Sequence, residues 1–487
     1  MGVSRLSRAT IAVTLIAIAL IFAVYSYVNA YSQQQVSSQV VSSNIVASVN
    51  VSRLLSSLRI ALVSDNKTLV EDFAKAFAGV GISKLQSYSV LSIEQAFEGV
   101  NITILDLDAT RAFLKNNELV KRVLWSGKIV AFITNGVVDP VEEIFKNLNR
   151  SELPLLVIPV KGVKKVNGTE MPVYGYTKAP QVLAIRTKRI EKVESNKTYI
   201  GGLATHYYVV HGVKDIREAV IKILREITSD LYGNVGNHSS NLSGKSTPAP
   251  IIVAKAQGVS DDVLFSWVEI GMWDYYFDQS PYMTTWNRVH FYYASNYRGF
   301  FSYLYRVIAR HYISGKNGWS PGPTYYSYCD LIDLMLLEKQ SLKVFLGTVY
   351  VSGNTVAYYR YPNEAFDEFY PASSGSGGSV SVTIGWPPSI TATWTIPDFV
   401  SYEPFTENQD AVGWQWQLAN CYNYGWMYGK VFIGSNNYPT YVTTYFKSVV
   451  FKASGLWYDS RHTQEFYSFA LYPATWQLVY GVIVYEI

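Results

Sequence analysis

The sequence predicts an α/β domain followed by an all-β domain, behind an N-terminal membrane helix. Three observations carry this. Residues 10–28 form an uncharged apolar run, residues 58–232 alternate β-branched apolar runs with helical patterns, and residues 251–487 are short aromatic-rich segments divided by Gly, Pro, Asn and Ser.

The apolar run TIAVTLIAIALIFAVYSYV (10–28) has the length needed to cross a bilayer core as a helix. Arg5 and Arg8 precede it and no charge follows until Arg53, so residues 1–9 are expected in the cytoplasm and the bulk of the chain outside the cell. The expectation is a single-pass cell-membrane protein held by a signal anchor. Val28-Asn29-Ala30 offers an alternative, a cleavage near Ala30 that would release the protein. Arg8-Ala9 ahead of the run resembles the processing site of type IV pilin-like precursors, which keep their helix. Residues 29–57 then read as a polar stalk, uncharged as far as Arg53, that crosses behind the helix and spaces the next domain from the headgroups. Sequons at Asn50, Asn66, Asn101, Asn149, Asn167, Asn196, Asn237 and Asn241, with none after residue 245, predict a glycosylated, exported, membrane-proximal part.

Residues 58–232 predict a doubly wound, mostly parallel sheet. Strands are expected at RIALVS (59–64), ITILDLD (102–108), KIVAFIT (128–134) and LLVIPV (155–160), with VLAIRTK and THYYVVHG as added strands. LVEDFAKAFAGVG, TRAFLKNNELVKRVLW and DPVEEIFKNLN repeat apolar residues at helical spacing. DIREAVIKILREITSDL (215–231) is the clearest amphipathic helix, with Asp215 and Glu218 at its start, where the helix dipole favours acids. Asp65, Asp106, Asp108, Thr134 and Asn135 fall at the strand ends, where such folds bind ligands. No phosphate-cradling glycine motif accompanies them, and FAGVG (77–81) reads as a helix C-cap, so they are expected to be turn residues and no cofactor is predicted.

Residues 233–250 (GNVGNHSSNLSGKSTPAP) read as a linker. Beyond it lie 29 of the 39 tyrosines and 11 of the 12 tryptophans. KVFLGTVYV and TVAYYRYP flank a hairpin turn at Ser352-Gly353-Asn354. SVSVTIGW, ITATWTIP, AVGWQWQL, WMYGKVFIG, YVTTYFKSVVFKA and QLVYGVIVYEI complete an antiparallel β-sandwich or jelly-roll-like domain. Segments within 258–340 fit either period.

The functional expectations come mostly by exclusion. A net charge of +4 without a dense basic run gives no nucleic-acid face. Cys329 and Cys421 form one disulfide or stay as two buried thiols, and no cysteine zinc site can be built from two. The six histidines (206, 211, 238, 290, 311, 462) have no metal spacing, so no metal is predicted. Neither G-x-S-x-G nor H-E-x-x-H occurs. Carboxylates group at Glu269/Asp274/Asp278, Glu364/Asp367/Glu368 and Glu403/Glu407/Asp410, none at a diagnostic spacing. Tyr and Trp supply flat rigid surface with a polar handle, and the stretch 413–429 puts Trp414, Trp416, Tyr422, Tyr424 and Trp426 forward as a binding face. The leading expectation is a membrane-tethered glycoprotein that binds glycans or envelope proteins without catalysis. Two alternatives stand beside it: a polysaccharide hydrolase using paired carboxylates, and a pilin-like or surface-layer subunit that forms homo-oligomers through the terminal VYGVIVYEI strand.

Overall fold

The structure is a computed structural model. It describes Leu55 and residues 58–166, 169–232, 265–279, 283–298 and 301–315, then 331–339, 349–351, 354–356, 364–370, 375–376, 379–384, 390–395, 400–407, 411–418, 427–436, 438–454 and 457–478. The apolar run 10–28, the stalk apart from Leu55, the linker and the terminal VYGVIVYEI segment lie outside the described residues. No described helix is long and apolar enough to cross a membrane.

The protein is mixed α/β and dominated by sheet. Strands β1 (Ile60–Val63), β2 (Leu85–Tyr88), β3 (Ile102–Leu105) and β4 (Ile129–Ile133) are parallel, in the order β2-β1-β3-β4. β1, β3 and β4 are buried on both faces, which is why they read as unbroken apolar runs. Their side chains alternate between two cores. Ile60 and Leu62 point to helices α1 (Lys67–Gly79) and α5 (Ile216–Tyr232), through Phe73, Phe77, Val220, Ile223 and Ile227. Ala61 and Val63 face the opposite core with Phe113 of α2 (Leu107–Lys115), Val123 of α3 (Asn117–Trp125) and Ile144 of α4 (Pro140–Asn147).

Local chemistry sets the helix ends. Asn66, Asp106, Asn116 and Asp139 cap α1, α2, α3 and α4, each side chain accepting a backbone N–H of the first turn. Asn116 also divides what the sequence reads as one helix, because its amide oxygen takes the Leu119 N–H at 3.1 Å in place of helix continuation. The expected C-cap in FAGVG is present: Val80 and Ile82 donate to the Phe77 carbonyl, and Gly81 takes the left-handed conformation at φ 85°.

The fourth expected strand leaves the parallel sheet. β5 (Val157–Val166) pairs antiparallel with β6 (Thr169–Tyr174) and joins a second sheet, while β7 (Val182–Glu194) takes the place beside β4, also antiparallel. β7 continues as a long hairpin into β8 (Lys197–His211), whose 15 residues run far beyond the five of β4.

The outer edge of β8 receives the aromatic half. β9 (Trp267–Gln279) pairs with it in parallel from Thr205 to His211, and β10 (Met283–Ala294) and β11 (Tyr303–Gly315) follow antiparallel. β12 (Leu331–Lys339) belongs to the second sheet, β13 (Val349–Val351) and β14 (Asn354–Val356) form the hairpin expected at Ser352-Gly353, and β15 (Glu364–Tyr370) edges the first sheet. Then come β16 (Gly375–Ser376), β17 (Ser379–Ile384), β18 (Ile390–Thr395), β19 (Val400–Glu407), β20 (Ala411–Leu418), β21 (Met427–Ser435), β22 (Thr440–Ser454), β23 (Trp457–Leu471) and β24 (Gln477–Leu478). The first sheet runs β15-β21-β11-β10-β9-β8-β7-β4-β3-β1-β2, with β24 also on β8; the second runs β16-β19-β20-β12-β22-β23-β5-β6.

The halves expected on either side of residues 233–250 therefore share one twelve-stranded sheet. They share a core as well. Trp273 of β9 is fully buried, with ring centroids 5.1 Å from Tyr275, 4.3 Å from Tyr467 and 5.6 Å from Phe469, so side chains of both sheets interlock there. Gly271 lets the sheets approach, since a Cβ on it would stand 2.6 Å from Val157 Cγ2.

Candidate functional site

One exposed feature draws residues from four distant segments. Arg150 follows α4, Tyr174 ends β6, Tyr438 precedes β22 and Tyr472 follows β23. The guanidinium of Arg150 lies 3.7 Å over the Tyr472 ring, donates from Nε to the Leu155 carbonyl (3.3 Å) and from Nη1 to the Tyr438 hydroxyl (2.7 Å). The Tyr174 and Tyr472 hydroxyls share a 2.6 Å hydrogen bond, and Phe145 packs 4.6 Å from Tyr174. Burial raises both phenol pKa values above the ordinary range, so the pair stays neutral. Tyr438 is 49% exposed, and its ring is bracketed by Tyr472 at 5.4 Å and Tyr303 at 6.4 Å. A half-exposed aromatic ring fixed by a clamped guanidinium is a rigid, flat, amphipathic contact that costs little entropy to engage.

A second cluster is buried where α5 meets β8, β9 and β10. Arg288 faces Asp274 at 2.6 Å, Glu226 at 3.2 Å and Asp230 at 3.4 Å. Trp286 Nε1 donates to Asp274 (2.8 Å), the Tyr208 hydroxyl donates to Asp230 (2.8 Å), and Lys222 Nζ lies 3.6 Å over the Tyr276 ring. Three acids thus meet two bases. Burial, then the Asp274 charge, pushes Glu226 up to about 8, and burial pushes Lys222 down. Beside this cluster Glu269 accepts from or shares a proton with His290 Nδ1 (2.9 Å) and stands 3.8 Å from His206 Nε2. Burial alone would raise Glu269, but the His290 hydrogen bond and the two imidazoles outweigh it and hold the acid at about 2. These ties join the last helix of the first half to the first strands of the second.

The residues singled out in the sequence fall as follows. Trp414 and Trp416 lie on β20, where Trp414 pairs with Met335, itself opposite Phe446. Tyr422, Tyr424, Trp426, Cys329, Cys421 and His238 lie outside the described residues. Asp106 caps α2 and Asn135 takes a left-handed turn conformation at φ 54°, whereas Asp65 and Thr134 tie distant segments together, Asp65 accepting from Val90 N and Thr134 donating to the Pro180 carbonyl. Asp274 and Glu269 are committed to the partners above. His206 and His211, an odd number of residues apart on β8, face opposite sides of the sheet, and burial holds His211 at about 4. Among the described residues no group of three His, Cys, Asp or Glu has metal-holding geometry.

Four sequon asparagines are described, and all are exposed. Asn66, Asn101 and Asn149 each use the side-chain carbonyl to accept a backbone N–H, from Leu69, Arg59 and Ser151, while Asn196 sits at φ 61° in the β7–β8 turn. A carbonyl used in this way leaves the amide nitrogen, where a glycan attaches, unengaged by that bond. Asn50, Asn167, Asn237 and Asn241 lie outside the described residues.

The tyrosine–arginine face escaped the sequence reading because its members are separated by up to 322 positions, the distance from Arg150 to Tyr472. The available signal is the Tyr-Pro pair, which occurs at 361–362, 370–371, 438–439 and 472–473, and only the last two pairs supply this face.

No protein-family model and no curated protein matches the chain. Similar solved structures include the delta-toxin of Clostridium perfringens, at 9% identity, 48% of this chain, 99% of that chain and a TM-score of 0.25. A pore forming protein follows at 8% identity, covering 45% and 94%, with a TM-score of 0.21. The Clostridium perfringens NetB toxin in its membrane-inserted form matches at 7% identity, covering 42% and 94%, with a TM-score of 0.16. TM-scores in this range do not establish a common fold.

Proposed function

We propose that the protein is a membrane-tethered extracellular glycoprotein that works by binding glycans or envelope proteins, and that the face built by Arg150, Tyr174, Tyr303, Tyr438 and Tyr472 is its contact surface. The observation that carries this reading is the preorganised, half-exposed Tyr438 ring, locked by Arg150 and flanked by two further tyrosines. Tyrosine and arginine are the residues most often found to dominate binding energy at such surfaces. Tethering by residues 10–28 and glycosylation at the exposed asparagines are parts of the same proposal. Both would leave this face to ligands outside the cell. The 413–429 stretch, with Trp414, Trp416, Tyr422, Tyr424 and Trp426, stays as an additional proposed contact.

The test is a glycan and envelope-extract binding panel with the full chain and with Tyr438→Ala and Arg150→Ala. Ligands retained by the full chain and lost by both variants support the proposal. Equal retention by all three removes the face from consideration.

A further inference from the structure

Arg150 brings an uncompensated positive charge to the tyrosine face. The acids nearest to it in sequence are committed elsewhere. Glu152 faces Lys121 at 3.5 Å and accepts the Asn149 N–H at 3.1 Å, Glu142 pairs with Lys161 and Lys146, and Glu143 pairs with Lys146 at 2.6 Å. Among the described residues Arg150 meets no carboxylate; its partners are a carbonyl, a phenol and a ring. A guanidinium has no lone pair to offer, so in the 2.7 Å contact Arg150 Nη1 is the donor and the Tyr438 oxygen the acceptor. The phenol proton therefore points away from Arg150, on a ring that is half-exposed. Polarisation by the guanidinium strengthens that O–H as a donor. The turn that carries the ring is pinned on both sides. The Asn436 side-chain carbonyl accepts from Ser302 N at 2.8 Å and Oγ at 3.1 Å, and Thr440 Oγ1 donates to Ser435 Oγ at 2.9 Å. The Tyr303 and Tyr472 rings stand at 47° and 79° to that of Tyr438, so they wall a platform one ring wide and do not extend it.

We infer that this face takes an acidic glycan, one whose sugar ring carries a carboxylate: the ring lies on Tyr438, and the carboxylate accepts the Tyr438 O–H beside the positive charge of Arg150. The inference rests on the contact role proposed above for the same face and names its class of ligand. A neutral sugar satisfies the ring and the hydroxyl but leaves the guanidinium charge uncompensated, whereas a carboxylate makes a charge-assisted hydrogen bond there. An acidic peptide brings the carboxylate without a rigid ring to cover the flat apolar area of the tyrosine, so the sugar acid is the better match.

The experiment measures binding of the full chain to polygalacturonate, to the same polymer with its carboxyls methyl-esterified, and to poly-glutamate. At low salt the acid form should bind about fivefold to tenfold tighter than the ester. The preference should shrink as salt rises from about 0.05 M to about 0.5 M. Tyr438→Phe keeps the ring and Arg150→Met removes the charge, and each should bring the acid-to-ester ratio below about twofold. Tyr438→Phe carries the test alone if Arg150→Met does not fold. Poly-glutamate should bind more weakly than polygalacturonate. Equal binding of acid and ester, binding of neither, or poly-glutamate binding as tightly as the sugar acid overturns the inference. A preference that either variant leaves intact overturns it too, because the acid is then held elsewhere. Failure of the contact role itself reads differently: panel ligands are then retained equally by the full chain, Tyr438→Ala and Arg150→Ala. A neutral ligand lost by both of those variants, with no preference for acid over ester, keeps the face and removes the acidic class.

Discussion

Replacing Arg288 by methionine should expose how much of the protein rests on one guanidinium. Arg288 lies within 3.4 Å of three acids, with its own side chain 15% exposed and those of Asp274, Asp230 and Glu226 at 4%, 17% and 18%. At an effective dielectric near 20, a unit pair at about 3 Å is worth roughly 5 kcal/mol, but the desolvation of each ion and the mutual repulsion of the acids offset most of it. What the substitution costs is the stranding of buried acids beside Lys222 alone, about 3–5 kcal/mol at neutral pH. The sign with pH is fixed by the raised acids. Burial and Asp274 hold Glu226 near 8, and burial raises Asp274 as well, so loss of the arginine lifts both further. Lowering the pH protonates them and removes the stranded charge, so the deficit should shrink to under about 2 kcal/mol by pH 5. Equilibrium urea unfolding of both proteins at pH 7.5 and pH 5, followed by circular dichroism, reads both quantities. A loss below about 1 kcal/mol at pH 7.5, or one that is equal at the two pH values, would refute the reasoning, since it would mean that water solvates the cluster.

Further predictions follow from other contacts. Asp139 caps α4 through Val141 and Glu142 and accepts from Tyr176 N, so Asp139→Ala should cost about 2–4 kcal/mol while Asp139→Asn costs less; equal thermal midpoints would contradict this. Because burial holds that acid at about 6, its contribution is complete below 3.8 and declines as pH rises through 6, which a pH series on Asp139→Asn checks. Gly271→Val should force the sheets apart at Val157, crowd the Thr205 carbonyl of the adjacent β8 and cost about 1–3 kcal/mol or more, read as a lower melting temperature. Peptide mass spectrometry of the protein from its own cells should find sugar on Asn66, Asn101, Asn149 and Asn196; bare peptides at all four would remove glycosylation from the account.

The parts of the fold legible in the sequence are those governed by local pattern. β1, β3 and β4 are short runs buried on both faces, and α5 carries its apolar stripe at Val220, Ile223 and Ile227, so periodicity suffices. β2 is not legible in the sequence, because LQSY is an edge strand with half its residues exposed and no apolar run to mark it. β5 belongs to the second sheet and not beside β4, which its sequence does not reveal because an apolar run does not name its neighbour. The Asn167-Gly168 pair between β5 and β6 was a hairpin signal that pointed away from a parallel crossover. The sheet shared across residues 233–250 depends on the length of β8 and on which edge it leaves open, a property of the assembled sheet. Arg288 and its helix acids are 58 and 62 positions apart, so no spacing rule links them.

The most direct test of the account measures one affinity ratio. With a ligand retained from the panel, titration calorimetry on the full chain and on Tyr438→Ala should show binding weakened about thirtyfold or more, the loss of about 2 kcal/mol typical of a dominant contact residue, with an unchanged melting temperature. Equal affinity in the two proteins would contradict the claim that this tyrosine face is where the protein meets its partner.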